Sequence, residues 1–450
     1  MTGGSFLHDQ FPALRPLDTF EAQCLEALTA FLDGEIRPAV DRIESCEEGL
    51  SEKLLRHAGK LGLLGGAIPE SYGGIGLSRT LIARFNEEVA RACPSFAIPL
   101  NVHSGVATLP LLWFGSEEQQ SKWLPKLATG EIIGAFALSE PGAGSDALGL
   151  SCRATKTENG WSLSGQKLWI TNAGYADLFT VFAKVDGEHL TAFLVERNTP
   201  GMTIGRDEKK LGLKGSSTAA LFFDNAPLPE DAMLGEIGKG HRAALFPLNV
   251  GRLNIGAAAL GMAREALALA ESHANSRRQF GQPLAGFELV ADKLTRMYTK
   301  IAQAENVVYR TAALLDGYVP SGTPITGGGG MAPGEEFAVE CAIAKVYATE
   351  VLDFVVDEAL QIHGGVGYSE EFPIARLYRD ARIFRIFEGT NEINRLTIAD
   401  QLRKRLASGR IAPLESDHPL TASLAALEEN PQSQLKAAAL ADAAIDYFVK

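Results

Sequence analysis

Apolar residues at helical spacing open the chain. From Leu17 to about Gly134, Leu25, Leu28, Phe31 and Leu32 share one stripe, and Leu54, Leu55, Leu61 and Leu63 suggest another. Pro69 to Gly76 is a turn-rich break. Phe96 to Leu112 forms an apolar helix, and Ser116 with Gln119 makes a capping-box pair opening the helix that carries Trp123 and Leu124. At Phe136 the period changes. Trp161 to Ser164, Lys167 to Thr171, Leu178 to Val185, Leu190 to Val195 and Ala220 to Phe223 are short alternating or apolar runs between Gly and Asn turns, the pattern of an antiparallel sheet. It closes around Asp224 to Pro229. Helical spacing then returns in longer stretches: Arg242 to Ala274, Val290 to Leu315, Glu336 to Ile362 and Asn391 to Leu406, enough for an antiparallel bundle. Gly317 to Gly334, with its glycine run and prolines, reads as an exposed mobile insertion. From Ser408, Pro413, Pro419 and Pro431 break short Ala/Leu-rich helices.

The predicted class is therefore α+β. Residues 1–135 form an N-terminal helical domain, 136–239 a middle antiparallel β-domain, 240–407 a C-terminal four-helix bundle and 408–450 a tail of short helices. There is no repeating βαβ unit and no strand–GxGxxG–helix unit, which argues against a Rossmann fold. A Walker-type loop is excluded in the glycine-rich insertion, since no Gly-Lys-Ser/Thr follows.

Composition narrows the partners. The 450 residues are 46% hydrophobic and 22% charged, ordinary for a soluble globular protein. A net charge of −13 argues against nucleic acid and against docking on anionic lipid. The 5 cysteines are scattered and in no metal-ligand spacing, so a reducing compartment is expected and no metal. No apolar run is read as long enough to span a bilayer, so no integral membrane segment is expected. Met1 to Pro16 lacks a secretory apolar core and is not Arg/Ser-rich like a transit peptide. The expected location is cytoplasmic for a bacterial chain, or the mitochondrial matrix for a processed eukaryotic one.

The chemistry concentrates in Ile386-Phe387-Glu388-Gly389-Thr390-Asn391-Glu392-Ile393-Asn394-Arg395. Thr390 reads as an N-cap with Glu392 in the first turn, which leaves Glu388 in the connecting loop. Ile386 and Phe387 would desolvate its carboxyl and raise its pKa, while Gly389 permits close backbone approach. A lone Glu-Gly is otherwise a solvated loop glutamate. Ala137 to Asp146 is a strand end entering a Gly/Pro loop whose N–H groups and hydroxyls could receive an anion or heterocycle, or which is a plain turn. Strand alternation puts Trp169 and Thr171 on one face, suited to a flavin ring or to the core. Arg277-Arg278-Gln279-Phe280-Gly281 and Gln361 to Gly367 complete the set. An arginine pair is commonly solvated surface, and His363 lacks a partner histidine at metal spacing.

Taken together these segments resemble the acyl-CoA dehydrogenases, and the resemblance covers about Leu17 to Leu406. It implies that Glu388 is the catalytic base and that the β-hydride passes to flavin N5 of FAD. Phe136, Leu138, Ser139, Gly144 and Ser145 would wrap the flavin and pyrophosphate, with Ser139 at the pyrimidine end, where many members have Thr. Trp169, Ile170 and Thr171 would meet the ring, with Thr171 reaching N5. Arg277, Phe280, Gln361, Gly364 and Gly365 would contact FAD across a subunit boundary, and Thr390 and Glu392 would complete the cofactor set. Glu288, where the family usually has Gln, is left out. Ser145, Asn249, Arg252 and Gly389 are implied at the acyl-CoA, with Arg252 bracing the Glu388 loop. Gly251 stands where some members place the base. Glu196-Arg197, Lys209 to Gly212, Asn249 to Arg252 and Arg382 to Arg385 look most like the very-long-chain branch, although only a short tail stands in place of that branch's extra C-terminal domain. The resemblance further implies α,β-dehydrogenation of long-chain fatty acyl-CoA to trans-2-enoyl-CoA in β-oxidation, a homo-oligomer (dimer or tetramer), and electron-transferring flavoprotein as acceptor. An acyl-CoA oxidase, or a scaffold protein retaining the fold, stays open at this point.

Overall fold

The computed structural model describes residues 17–317, 336–411, 414 and 417–449. The insertion reading for 318–334, the break at Pro413 and the first 16 residues lie outside them. The described chain divides into two compact units, residues 17–251 and residues 252–449.

The first unit starts with helices. Thr19–Phe31 opens on a capping box in which the Asp18 side chain accepts from the Glu21 N–H and the Glu21 carboxylate accepts from the Asp18 N–H. Of the expected stripe, Leu28, Phe31 and Leu32 are buried and Leu25 half-buried. Leu54, Leu55 and Leu63 are buried too, but Leu61 is exposed, because the Leu50–Lys60 helix stops just before it. The Ser116/Gln119 capping box forms as expected and starts Glu117–Thr129. The expected apolar helix from Phe96 is interrupted: Pro94–Val102 and Leu109–Phe114 flank a wide turn at His103–Ala107. The interruption lets the fully buried His103 accept from the Gly134 N–H at 3.0 Å and pair its other ring nitrogen with Leu127 O at 3.0 Å. Burial pulls His103 down to about 4, so it is a neutral structural bridge from helix to sheet.

The sheet contains β1 (Gly134–Ala137), β2 (Arg153–Thr157), β3 (Gly160–Thr171), β4 (Leu178–Val185), β5 (His189–Glu196), β6 (Met202–Ile204), β7 (Thr218–Leu228) and β8 (Met233–Leu234). The order is β6-β7-β3-β2-β4-β5-β8, with β1 also pairing β4. The antiparallel expectation needs correcting, because β1 and β2 both run parallel to β4. They occupy successive stretches beside it, β1 along Leu178–Val181 and β2 at Lys184 and Val185. Residues 138–152 are thus an excursion out of one sheet position, leaving after β1 and rejoining at β2. Buried Phe179, Phe182 and Phe193 anchor the central strands.

The second unit is helical. Ala338–His363 is its central helix, packed by Glu288–Gly317, Asn391–Ala407 and Pro373–Ala381. The remainder of Gly240–Ser276 joins through Gly256, where an added Cβ would sit 3.2 Å from Ala344 O. The tail does form helices, Thr421–Glu429 and Gln434–Val449. The second of these packs on Asn391–Ala407 and extends the four-helix expectation. Arg395 fixes it, donating from Nε to Asp442 at 2.7 Å.

Among the described residues two helical stretches, Pro94–Phe114 and Gly240–Ser276, are long and apolar enough to cross a membrane, contrary to the expectation of none. Both are mostly buried within the protein, as core helices of a large apolar interior are.

Candidate active site

The Glu388 corner is built ahead of a helix cap. The Thr390 hydroxyl accepts from the Ile393 N–H at 3.2 Å and starts Asn391–Ala407. Just before it the chain passes through two successive left-handed residues, Glu388 at φ 55° and Gly389 at φ 79°. Glycine adopts this readily, but for a glutamate it costs on the order of 1–3 kcal/mol and must be held from outside. Glu388 O accepts from Arg252 Nε and from Asn394 Nδ2, both at 3.4 Å. Gly389 O accepts from Lys345 Nζ at 2.9 Å and Asn394 Nδ2 at 2.8 Å, and Thr390 O accepts from Asn394 Nδ2 at 3.1 Å.

With the main chain held in this way, Glu388 Oε2 is shut away from solvent without a hydrogen bond. Burial pushes the carboxyl up to about 7, against the pull of the Arg252 guanidinium and the Lys345 ammonium. The expected apolar flank is only partly responsible. Phe387 is half-buried with its ring 5.0 Å from Phe384, whereas Ile386 is 46% exposed. Arg252 is buried and lowered by that burial. Glu392, in the first turn, is held below the usual carboxylate range, chiefly by a backbone N–H and by Thr390. Asn249 is buried on the Gly240–Ser276 helix.

In the first unit, the 138–152 excursion is anchored by a pair that sequence reasoning missed. Glu140 accepts from the Ser151 N–H and hydroxyl at 2.6 and 2.8 Å, from the Cys152 N–H at 3.0 Å and from Lys167 Nζ at 2.7 Å. Lys167, fully buried, also donates to Leu138 O at 3.1 Å, and the Leu168 N–H donates to Ser139 O at 2.9 Å. Burial opposes the Glu140 charge, but Lys167 and the N–H donors hold the carboxyl below its usual range. The tip of the excursion is open: Gly142, Gly144 and Ser145 are exposed, and nothing lies within 4 Å of a Cβ added at either glycine. Leu138 is buried, while Phe136 and Ser139 are half-buried.

The alternation expected through Trp169 fails locally. Register shifts between Lys167 and Ile170, and Trp169 sits at φ 60°. Trp161, Leu163 and Lys167 point inward; the bulge then buries Ile170 and leaves Trp169 56% exposed. Thr171 is half-buried after it.

The remaining candidates lie in the second unit. Arg277 and Phe280 are exposed around a tight hairpin, with Phe280 94% exposed at φ 49° and followed by Gly281 at φ 85°. Gln361, Gly364 and Gly365 are exposed at the end of the central helix, Gly364 at φ 62° and ψ −143°, a region for glycine alone. His363 is buried, its Nδ1 2.7 Å from Ala359 O and its ring stacked on His273. Among the described residues no cluster is placed to hold a metal. Glu288 is exposed at a helix start.

Lys345, missed in the sequence, is the second unit's counterpart to Lys167. It is fully buried and donates to Asn391 Oδ1 at 2.7 Å as well as to Gly389 O. Its signal was available: it is the one lysine in the mostly apolar run of Ala338–His363. Lysine is almost never fully buried without a partner, so such a position asks for one.

A helical segment, a mixed sheet and a second helical unit follow one another, with a desolvated glutamate before a helix cap, and this plan is similar to that of solved acyl-CoA dehydrogenases. The chain matches the models for the N-terminal, middle and C-terminal domains of acyl-CoA dehydrogenase over residues 20–131, 135–226 and 238–403. It belongs to the acyl-CoA dehydrogenase family, whose members are FAD-dependent oxidoreductases. A probable acyl-CoA dehydrogenase of Bacillus subtilis is 43% identical, over 96% of this chain and 74% of that protein. The human short-chain enzyme is 38% identical over 89% of this chain and 94% of its own length. The human very long-chain enzyme is 39% identical, but this chain spans only 57% of it and the match covers 85% of this chain. An acyl-CoA dehydrogenase of Bacillus anthracis, solved with FAD, has a TM-score of 0.90 and 38% identity, covering 99% of this chain and 84% of that one.

Proposed function

We propose that the protein oxidises fatty acyl-CoA to trans-2-enoyl-CoA, with Glu388 as the general base. The observation that carries the reading is the Glu388 corner: a strained, externally held loop whose carboxyl oxygen Oε2 is shut away from solvent, burial pushing the carboxyl up to about 7. A base is most effective when its pKa lies near the working pH, and a weakly acidic α-C–H needs a base that is ionised yet poorly solvated. The Glu388 backbone N–H is the donor we assign to the thioester carbonyl, a contribution of about 3–4 kcal/mol by analogy with measured oxyanion donors. Arg252 braces the corner and opposes protonation of the base, and with Gly389, Ser145 and Asn249 it is assigned to the substrate side.

FAD, when bound, supplies the acceptor for the β-hydride. The residues fit such a group. Trp169 and Phe280 are exposed aromatics on left-handed backbones, and the excursion tip offers space at Gly142 and Gly144. Ser139 and Thr171 are assigned to the ring, with Phe136, Leu138 and Ile170 behind it. Arg277 suits a pyrophosphate, and Gln361, Gly364 and Gly365 suit the adenosine end. An aromatic as exposed as Phe280 also supports a homo-oligomer in which part of the set serves a partner. Electron-transferring flavoprotein is the acceptor we assign.

Long-chain substrates are our preferred class. Ile98, buried, and Val102, half-buried, make an apolar helix face. Each further methylene covered in an apolar pocket contributes about 0.8 kcal/mol. The relatives named above include both short-chain and very long-chain enzymes, so identity alone does not choose between them. Stopped-flow flavin reduction with acyl-CoAs of graded length tests the reading. Glu388→Gln should slow reduction by roughly 10²–10⁴-fold with acyl-CoA binding kept, and wild-type kcat/KM should rise from butyryl- to at least dodecanoyl-CoA. Undiminished reduction by Glu388→Gln would remove the base assignment; a maximum at butyryl-CoA would remove the long-chain one.

A further inference from the structure

We propose that Lys345 is a positioning residue for the base: it fixes the left-handed Glu388 corner through the Gly389 carbonyl and supplies a positive charge that the carboxylate faces. The proposal rests on the reading of Glu388 as the base. It starts from a physical oddity, a fully buried lysine on the central helix of a bundle. An ammonium withdrawn from water is costly unless it is well bonded, and an apolar side chain would pack there without that cost. Packing therefore does not explain the residue.

What Lys345 touches does. Its Nζ donates to Gly389 O at 2.9 Å, the carbonyl directly after the base, and to Asn391 Oδ1 at 2.7 Å, in the first turn of the helix that follows. It thus holds both sides of the Thr390 cap, where a small shift in main chain would swing the Glu388 side chain. Asn391 is itself fixed. Its amide donates to Thr349 Oγ1 and to Glu350 Oε1, both at 3.1 Å, and Glu350 is clamped by Arg395 at 2.7 and 3.1 Å. Arg395 continues to Asp442 on the last helix. The corner is tied through hydrogen-bonded side chains to three helices of the second unit.

The charges around the pair set the direction of the effect. Glu388 faces Arg252 and Lys345. Lys345 faces Glu388, Glu392 and Glu350 as favourable charges and Arg252 as an unfavourable one, and burial pulls it down to about 7. Cys341 bears on Arg252 from the central helix. Removing the lysine takes one of two cations from the carboxylate, so protonation of Glu388 must move to higher pH.

The experiment is a pH profile of acyl-CoA-dependent dye reduction, per bound flavin, for wild type, Lys345→Met, Lys345→Arg and Glu388→Gln. Lys345→Met is expected to lower kcat about 10- to 100-fold with KM within a few-fold. It should also move the acid limb of kcat/KM up by about one unit or more, the size of a lost neighbouring charge. Lys345→Arg, which keeps charge and donors, should return the limb towards wild type. Should the methionine variant not fold, Lys345→Gln carries the same test: it keeps a donor for Gly389 O, so the limb should shift with a smaller loss in kcat. A residue that only supports the fold would lower yield or melting temperature while leaving kcat per flavin and the acid limb at wild-type values, and that result overturns the proposal. Glu388→Gln separates the two levels. If it retains activity, the base assignment fails; if it is inactive while removing the lysine charge leaves the limb unmoved, only the role of Lys345 fails.

Discussion

A buried carboxyl that keeps its proton until about pH 7 makes the folded state less stable once it ionises. For Glu388 the folded pKa lies above the ordinary value of 4.5, so its contribution is fully present below that value and is lost as pH rises through about 7. Glutamine has no proton to lose. Glu388→Gln should therefore melt above wild type at pH 8, and the gap should close towards pH 4.5. The shift sets a ceiling of about 3 kcal/mol, with about 1–3 kcal/mol expected after relaxation. Thermal unfolding across that pH range checks it. A glutamine variant less stable at pH 8 would mean that Arg252 and Lys345 stabilise the carboxylate more than burial opposes it. The same residue also shows where sequence reading works: Thr390 as cap and Gly389 as a point of close backbone approach were legible from residue type and order, while Arg252 as brace came from the family resemblance. Lys345 stood out only as a lone lysine in an apolar run; its partners, a carbonyl and an amide, were not legible, because their positions follow from packing.

At the level of elements, the excursion between β1 and β2 depends on one buried ion pair. Glu140 and Lys167 have almost no side-chain exposure, at 2% and 0%. Breaking such a pair strands a charge and costs about 3–5 kcal/mol, whereas replacing both partners is often near neutral. Lys167→Met should accordingly lower the unfolding free energy from urea titration by about 3–5 kcal/mol. Adding Glu140→Gln should recover a substantial part. A single variant as stable as wild type would show that Ser151 and Cys152 alone satisfy Glu140. The bulge at Trp169 is the other element-scale feature. Alternation along β3 would have buried Trp169 with Lys167; one left-handed residue reverses the face and delivers the indole outward.

For the whole molecule, the exposed hairpin bearing Phe280 sets the expectation. If Arg277 and Phe280 serve the cofactor of a partner subunit, flavin retention depends on assembly. Dilution below the association midpoint should release FAD and raise its free fluorescence in step with the fall in mass by light scattering. A monomer that keeps its full flavin content would contradict the shared site. The last helix, Gln434–Val449, belongs to this scale as well, since Asp442 connects it to Arg395 and so to the chain of hydrogen bonds ending at the Gly389 carbonyl, next to the base.

Residue order by itself determined the helix–sheet–helix plan, because the apolar period shifts from helical to alternating and back within the chain. It also determined both capping motifs and the loop position of Glu388, each readable from neighbours a few residues apart, and the family, through motifs spread from Phe136 to Arg395. Tertiary structure decided the rest. The parallel pairing of β1 and β2 with β4, the bulge that turns Trp169 out, and the Glu140–Lys167 and Lys345–Gly389 contacts all join residues far apart in the chain. So does the pKa of Glu388, which rises chiefly because packing removes water from Oε2, with Arg252 and Lys345 limiting the rise. Desolvation and charge act through space, and hydrophobic periodicity records only which side of an element is covered, not what covers it.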